Sequence, residues 1–207
     1  MTGLRERQKA LRREEMMKAA MSLFGSRGYE SVKLEEIAHE AGVSPGTLYS
    51  YFKTKNDLLL AVLIQDFELG FKNGRLILEG PLSDGITAIN QLLLAHFSRR
   101  QHGLTEDMWR FAIAAFISHP DTHFAIEYEK CLTQMHNQFL ILIQKLKVEG
   151  HLPNYVYADN LASVITNSAI MSFLKFIRKP NVSSEKFEAK LLSQNSQLIK
   201  LAQQASV

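Results

Sequence analysis

Three groups of side chains in this 207-residue chain have types and spacings that invite a chemical reading. The first is His119, Asp121 and His123. On a helix an i+2 spacing turns Asp121 away from both histidines, and Pro120 marks a helix start, where Asp121 complements the dipole. No metal site is expected there. The second is Cys131 with His136, which at i+5 on one helix do not share a face. With no oxyanion or acid pattern nearby the reading is an inert buried thiol. There is no glycine-rich phosphate loop, and no catalytic residue or cofactor is expected. The third group is polar without being reactive: Ser44, Thr47, Tyr49, Ser50 and Tyr51, all hydroxyl-bearing and close together. Upstream of them run Arg5, Arg7, Lys9, Arg12 and Arg13, opposed only by Glu6. Such a basic excess suits a polyanion, either nucleic acid or a membrane surface, and equally a solvated leader.

The elements that must carry these groups all read as helices. Gly and Pro punctuate periodic apolar segments, and strand-like alternation is absent. The first helix, about 5–26, puts Met16, Ala19, Ala20, Leu23 and Phe24 on one face. The second, about 34–41, places Leu34, Ile37, Ala38 and Ala41 at helical spacing and stops at Gly42. Ser44 followed by Pro45 opens a short third helix whose inward pair is Leu48 and Phe52. Thr54 and Asp57 form a capping-box pattern for a long fourth helix that ends by Gly80-Pro81. Further helices are predicted over 83–100, 104–118, 120–149, 155–178 and 184–204, with Ser83, Thr105, Asp121 and Ser184 as starts. Gly103, Gly150 to Pro153 and Lys179 to Asn181 are the breaks. The fold class is all-α with about nine helices, divided into residues 1–56 and 57–207.

Composition agrees with a helical globular protein. The apolar fraction is 46% and the charged fraction 22%, neither disordered nor fibrous. One cysteine excludes an internal disulfide framework and fits a reducing cytoplasm. The most apolar stretch, around Leu161 to Leu174, is interrupted by Ser163, Thr166, Asn167 and Ser168, so a membrane partner is not expected. The net charge of +3 is unevenly spread: residues 1–56 hold 10 basic and 7 acidic side chains, residues 57–207 hold 14 of each.

The stretch Ile37 to Phe52, IAHEAGVSPGTLYSYF, is therefore a helix, a turn at Gly42 and a second helix. That is the helix-turn-helix pattern, whose second helix enters a DNA major groove. Ala38 and Ala41 let the helices cross closely, and Val43 plugs the crossing. Residues 16–63 also resemble the DNA-binding domain of TetR-family transcriptional regulators. The likeness rests on the Ala-Ala…Leu-Phe…Gly-Tyr of the first helix, the Ile-Ala…Ala-Gly-Val-Ser core, and the Gly-Thr-Leu-Tyr-x-Tyr-Phe-x-x-Lys run ending at Lys55.

The resemblance implies that Pro45 to Tyr51 is a recognition helix presenting Pro45, Gly46, Thr47, Tyr49, Ser50 and Tyr51 to double-stranded DNA, with Ser44 at its cap. Lys55 would bind a phosphate. Where the family usually has Thr or Ser before the second helix, this chain has Val32-Lys33, so Lys33 is expected on a phosphate and the cap must come from Ser31 or water. Ser44 to Phe52 contains no Arg, Lys, Asn or Gln to make bidentate base contacts. Readout is expected through thymine-methyl contacts, hydroxyls and DNA shape, with a strong salt dependence and the basic leader as a candidate minor-groove arm.

For the rest of the chain the resemblance implies a ligand-sensing, dimerising helical domain. Phe67, Phe71, His96, Phe97, Met108, Trp109, Phe116, His136, Phe139, Asn167 and Met171 would line an apolar cavity for a small-molecule effector, or simply pack as core. A palindromic operator requires a homodimer. The family places that interface on the last two long helices: Ala162, Ile165, Ala169, Ser172, Phe173 and Phe176 on one, Leu191, Leu198 and Ala202 on the other. Either stripe serves equally as intramolecular core. The function implied is a repressor released by its ligand, the alternatives being an activator or a DNA-binding protein that senses nothing.

Overall fold

In the computed structural model the chain is described over residues 3–98, 104–179 and 182–204. Among the described residues there are nine helices and no strand, as the sequence predicts. They are α1 (Leu4–Arg27), α2 (Leu34–Glu40), α3 (Pro45–Tyr51), α4 (Lys55–Glu79), α5 (Gly85–Phe97), α6 (Glu106–Ser118), α7 (His123–Val148), α8 (Ala158–Ile177) and α9 (Ser184–Gln204). The fifth helix stops at Phe97, where Ser98 turns extended, short of the predicted residue 100; residues 99–100 and the breaks at Gly103 and Pro180-Asn181 lie outside the described residues.

Side-chain caps fix most starts. Ser44 Oγ accepts from the Thr47 amide at 3.1 Å, and Thr105 Oγ1 from that of Met108 at 3.3 Å. Thr54 and Asp57 cap one another reciprocally, at 2.9 and 3.1 Å. Two starts move by one residue from their predicted positions. Asp84, not Ser83, caps α5, because its carboxylate accepts from the Ile86 and Thr87 amides together at 3.0 and 3.1 Å. Thr122, not Asp121, receives the Ala125 amide at the head of α7, at 3.3 Å.

The helices form two compact units. One comprises α1, α2, α3, α4 up to Asp66, α6 and α7 up to Tyr128. Its core is built from Met16, Ala20 and Phe24 of α1, Ile37 and Ala38 of α2, Leu48 of α3, and Leu58, Val62 and Leu63 of α4, with Phe52 beside them, all buried. Tyr29, just past α1, seals one end: its ring lies 5.0 Å from Phe24 and 4.8 Å from Phe111 of α6, and its amide donates to Asp107 at 3.3 Å. The other unit comprises α4 from Phe67, α5, α7 from Glu129, α8 and α9. Ile89, Leu92 and Leu93 of α5 are buried with Phe139 and Leu142 of α7, Ile165 and Ala169 of α8, and Leu191 and Ile199 of α9.

Within this second unit α4 comes unusually close to its neighbours. A Cβ on Gly70 would stand 2.9 Å from His96 Nδ1, and one on Gly74 would overlap the Gln138 carboxamide. That carboxamide bridges elements, donating to the Phe71 carbonyl at 2.9 Å and sharing a 2.8 Å hydrogen bond with His96 Nε2. α8 has the length and apolar composition of a membrane span. Its Leu161, Ala162, Ile165, Ala169, Phe173 and Phe176 are instead buried in the unit, which is why a helix so apolar occurs here.

Candidate nucleic-acid interface

α2 and α3 are joined by a turn that only one residue type makes without strain. Gly42 has φ +66°, and the chain closes through Ala41 N to Ile37 O at 2.9 Å and Val43 N to Ala38 O at 2.9 Å. The turn sends α3 off with Leu48 fully buried and Phe52 nearly so, which turns the remaining residues outward. Ser44, Pro45, Gly46, Tyr49 and Ser50 are exposed, Thr47 and Tyr51 half-buried. The structure thus brings all the predicted α3 residues to one end of the first unit.

The hydroxyls on this face are already partly engaged. Tyr49 donates to Glu35 Oε1 of α2 at 2.8 Å, Ser50 to the Thr47 carbonyl at 2.6 Å, and the Ser44 and Thr47 hydroxyls pair at 2.8 Å. The Tyr49 bond, with help from the helix backbone, holds the Glu35 carboxyl below the usual carboxylate range and raises the tyrosine in return. Sequence reasoning missed Glu35. Its signal was its place between the inward Leu34 and Ile37, which turns it to solvent on α2 within reach of Tyr49.

Two further expectations are corrected. α2 is not capped by Ser31, whose hydroxyl donates back to the Arg27 and Gly28 carbonyls at 2.7 and 3.2 Å. Glu36 takes the capping role, accepting from the Lys33 amide at 2.8 Å and from Arg27 Nη1 at 2.7 Å; both hold its carboxyl low. This leaves the exposed Lys33 side chain pointing to solvent. Lys55, expected on a phosphate, instead donates to the carbonyls of Tyr29, Glu30 and Val32 at 2.8, 3.1 and 3.1 Å, its ammonium 4.4 Å from the centre of the Tyr29 ring. Three donors meet three carbonyls, so this lysine is a clamp on the α1–α2 connection. Partial burial lowers its pKa. The basic leader is the exposed first half of α1. A helix does not fit a minor groove about 6 Å wide, so these residues form a helical face and no minor-groove arm. Arg13 within it lies 5.4 Å over the Phe52 ring.

The sequence of this unit matches the family profile of bacterial regulatory proteins of the tetR type over residues 16–62. The likeness to the TetR family is carried by these residues. The transcriptional repressor KstR of Rhodococcus jostii is 35% identical over 102 residues, covering 48% of this chain and 46% of KstR. The chain thus spans less than half the length of this curated relative. The likeness of fold extends further. A TetR/AcrR-family regulator from Thermobifida fusca matches 89% of this chain and 96% of its own with a TM-score of 0.68 at 20% identity. The regulator FadR from Bacillus subtilis, in complex with stearoyl-CoA, matches 94% and 99% with a TM-score of 0.66 at 15% identity.

The residues expected around an effector do not form one set. Phe67, Phe71, His96 and Phe139 do meet in the second unit, with ring centroids 5.6–6.0 Å apart along the row. Phe97 packs 6.1 Å from Phe173 of α8. Met108, Trp109 and Phe116 belong to the first unit, where Phe116 lies 4.9 Å from Tyr128. His136 faces Asp159 at 3.1 Å, and Asn167 and Met171 stand on the exposed face of α8. The expected dimer stripe is largely core: Ala162, Ile165, Ala169, Phe173, Phe176 and Leu191 are buried within the unit, leaving Ser172, Leu198 and Ala202 half-buried. Helical periodicity gives an apolar face but not what covers it, and here a neighbouring helix of the same unit does.

Proposed function

We propose that this chain is a ligand-responsive transcriptional regulator that binds a palindromic duplex as a homodimer and acts as a repressor. The observation that carries the reading is the α2–Gly42–α3 geometry, which buries Leu48 and Phe52 and leaves Tyr49 and Ser50 exposed and Thr47 and Tyr51 half-buried on a helix free to enter a major groove. Pro45 and Gly46 at the helix start admit a close phosphate, and the exposed Lys33 supplies a charge at the start of α2. The exposed basic half of α1 adds non-specific phosphate attraction.

The second unit supplies dimerisation and sensing. Val164 and Met171 of α8, Tyr157 at its N-cap and Leu201 of α9 are exposed apolar residues that offer a second copy a surface outside the buried stripe. A second copy seated there would set two recognition helices against half-sites about one DNA turn, ~34 Å, apart. The row Phe67, Phe71, His96 and Phe139 gives an effector an aromatic wall with a polar handle at His96 and Gln138. Ligand entry there must part α4 from α5 and α7, whose close approach depends on Gly70 and Gly74. Stearoyl-CoA in FadR supports a small-molecule effector for a fold of this kind.

The test is selection from a pool of random duplexes, followed by sequencing, with wild type and Tyr49→Ala. The expected result is a palindrome enriched by the wild type and lost in the variant. Binding without any enriched sequence would overturn the reading.

A further inference from the structure

We propose that the cleft between the end of α8 and the start of α9 is a binding site for a compact phosphate anion carrying two or more charges. Residues 57–207 are neutral overall, yet residues 175–190 hold five basic side chains against two acidic ones. The fold converts that run into a site. Lys175 on the last turn of α8 and Lys179 just beyond it face Lys186 and Lys190, one turn apart on α9, across a cleft of about 200 Å³. All four are exposed, and no carboxylate lines the cleft. Among the described residues none of the four ammonium groups has a hydrogen-bond or ion-pair partner. Glu188, between Lys186 and Lys190 in sequence, is turned away and accepts from Ser98 Oγ at 2.9 Å.

The floor explains why the lysines converge. Phe176 and Phe187 stack at 4.6 Å with their rings 20° apart, both nearly fully buried. This pair pins the two helices together and fixes the direction of the stems above it. The cleft ends at Gln194, whose amide is held by Ser168 Oγ at 2.8 Å. Four like charges around one depression repel each other, and an anion bound among them removes that repulsion. Lysines act as compact point charges without the planar fork of arginine, which favours the dense, spherically distributed charge of phosphate over a flat carboxylate. The volume suits a diphosphate or triphosphate.

The experiment is calorimetric titration of the full chain with inorganic pyrophosphate and tripolyphosphate. It uses wild type, a Lys179→Gln/Lys186→Gln double variant, and an Arg5→Gln/Arg7→Gln variant that neutralises part of the other basic face. All four positions are exposed, and thermal unfolding checks that each protein is folded. The expected result is one saturable site per chain, weakened about tenfold or more in the lysine variant, unchanged in the arginine variant, and weaker as salt rises. The proposal is overturned by no saturable binding at millimolar anion, or by binding that the arginine variant loses and the lysine variant keeps. Binding confined to duplex DNA would overturn it as well. None of these results bears on the operator selection above, so the two proposals fail separately.

Discussion

On the proposed function, the pairing of Tyr49 with Glu35 predicts what kind of base edge α3 would read. A carboxylate held below its usual range carries no hydrogen at neutral pH, so in the 2.8 Å contact the tyrosine must be the donor. Ser50 likewise gives its hydrogen to the Thr47 carbonyl. Both exposed hydroxyls of α3 therefore offer lone pairs and no hydrogen, and in the major groove they match only the exocyclic amino groups of adenine and cytosine. Glu35→Gln reverses this: a carboxamide can donate to the tyrosine oxygen and free the hydroxyl hydrogen for a keto oxygen. One such contact is a single hydrogen bond, so preference at the affected position should be about five- to tenfold. The assay is the duplex selection repeated with Tyr49→Phe and Glu35→Gln. In Tyr49→Phe one symmetric position should lose its preference. In Glu35→Gln the same position should switch between amino and keto bases on a given strand. Deleting the amino group of the selected base should reproduce the loss for wild type, whereas removing a purine N7 should not. A Glu35→Gln selection identical to wild type, or sensitivity to N7 in place of the amino group, would refute the reasoning.

Three other outcomes follow from the geometry. Lys55→Met should destabilise the chain by about 2 kcal/mol, measured by urea unfolding, because three carbonyls lose a charged donor; the salt dependence of DNA binding should keep its slope, where loss of a phosphate contact would reduce it by about one. Burial pushes Tyr29 up to about 12 from an ordinary 10, and its hydroxyl donates to Asn56 at 2.7 Å. The unfolded chain therefore ionises first, and stability should fall as pH rises from about 10 towards 12; alkaline denaturation should be shallower in Tyr29→Phe. Gly74→Ala should cost about 1–3 kcal/mol by thermal unfolding, since its methyl group meets the Gln138 carboxamide. Pairing it with Gln138→Ala should recover part of that loss.

Local chemistry was legible in the sequence where one residue decides one feature. Gly42, Ser44-Pro45, Thr54 with Asp57, and Leu48 with Phe52 foretold the turn, two caps and the facing of α3, because each is settled within a few bonds of the residue itself. What escaped depends on elements distant along the chain. Lys55 reads as a free surface cation until the carbonyls of residues 29, 30 and 32 are folded back on it. Glu35 gains a role only through a neighbouring helix. The stripe from Ala162 to Phe176 has the right period for a subunit interface, and only the position of α5 and α9 reveals that it is already covered. The candidate effector residues scattered for the same reason: their types were right, but nothing local assigns Trp109 and Phe139 to different units.

The packing of Tyr29 against Phe111 and Asp107 has a practical meaning for anyone recombining regulators of this type. The unit that carries α2 and α3 is discontinuous in sequence, since α6 and the head of α7 return to close it. A chimaera that grafts only the first three helices and the start of the fourth onto a foreign sensor would inherit the recognition surface but leave one flank of Tyr29 without its own cover. Its operator preference would survive the transplant while its thermal tolerance would depend on whatever ring or carboxylate the new host supplies at that flank. Exchange partners are best chosen by the residues their sixth helix presents, before any regard to the ligand they sense.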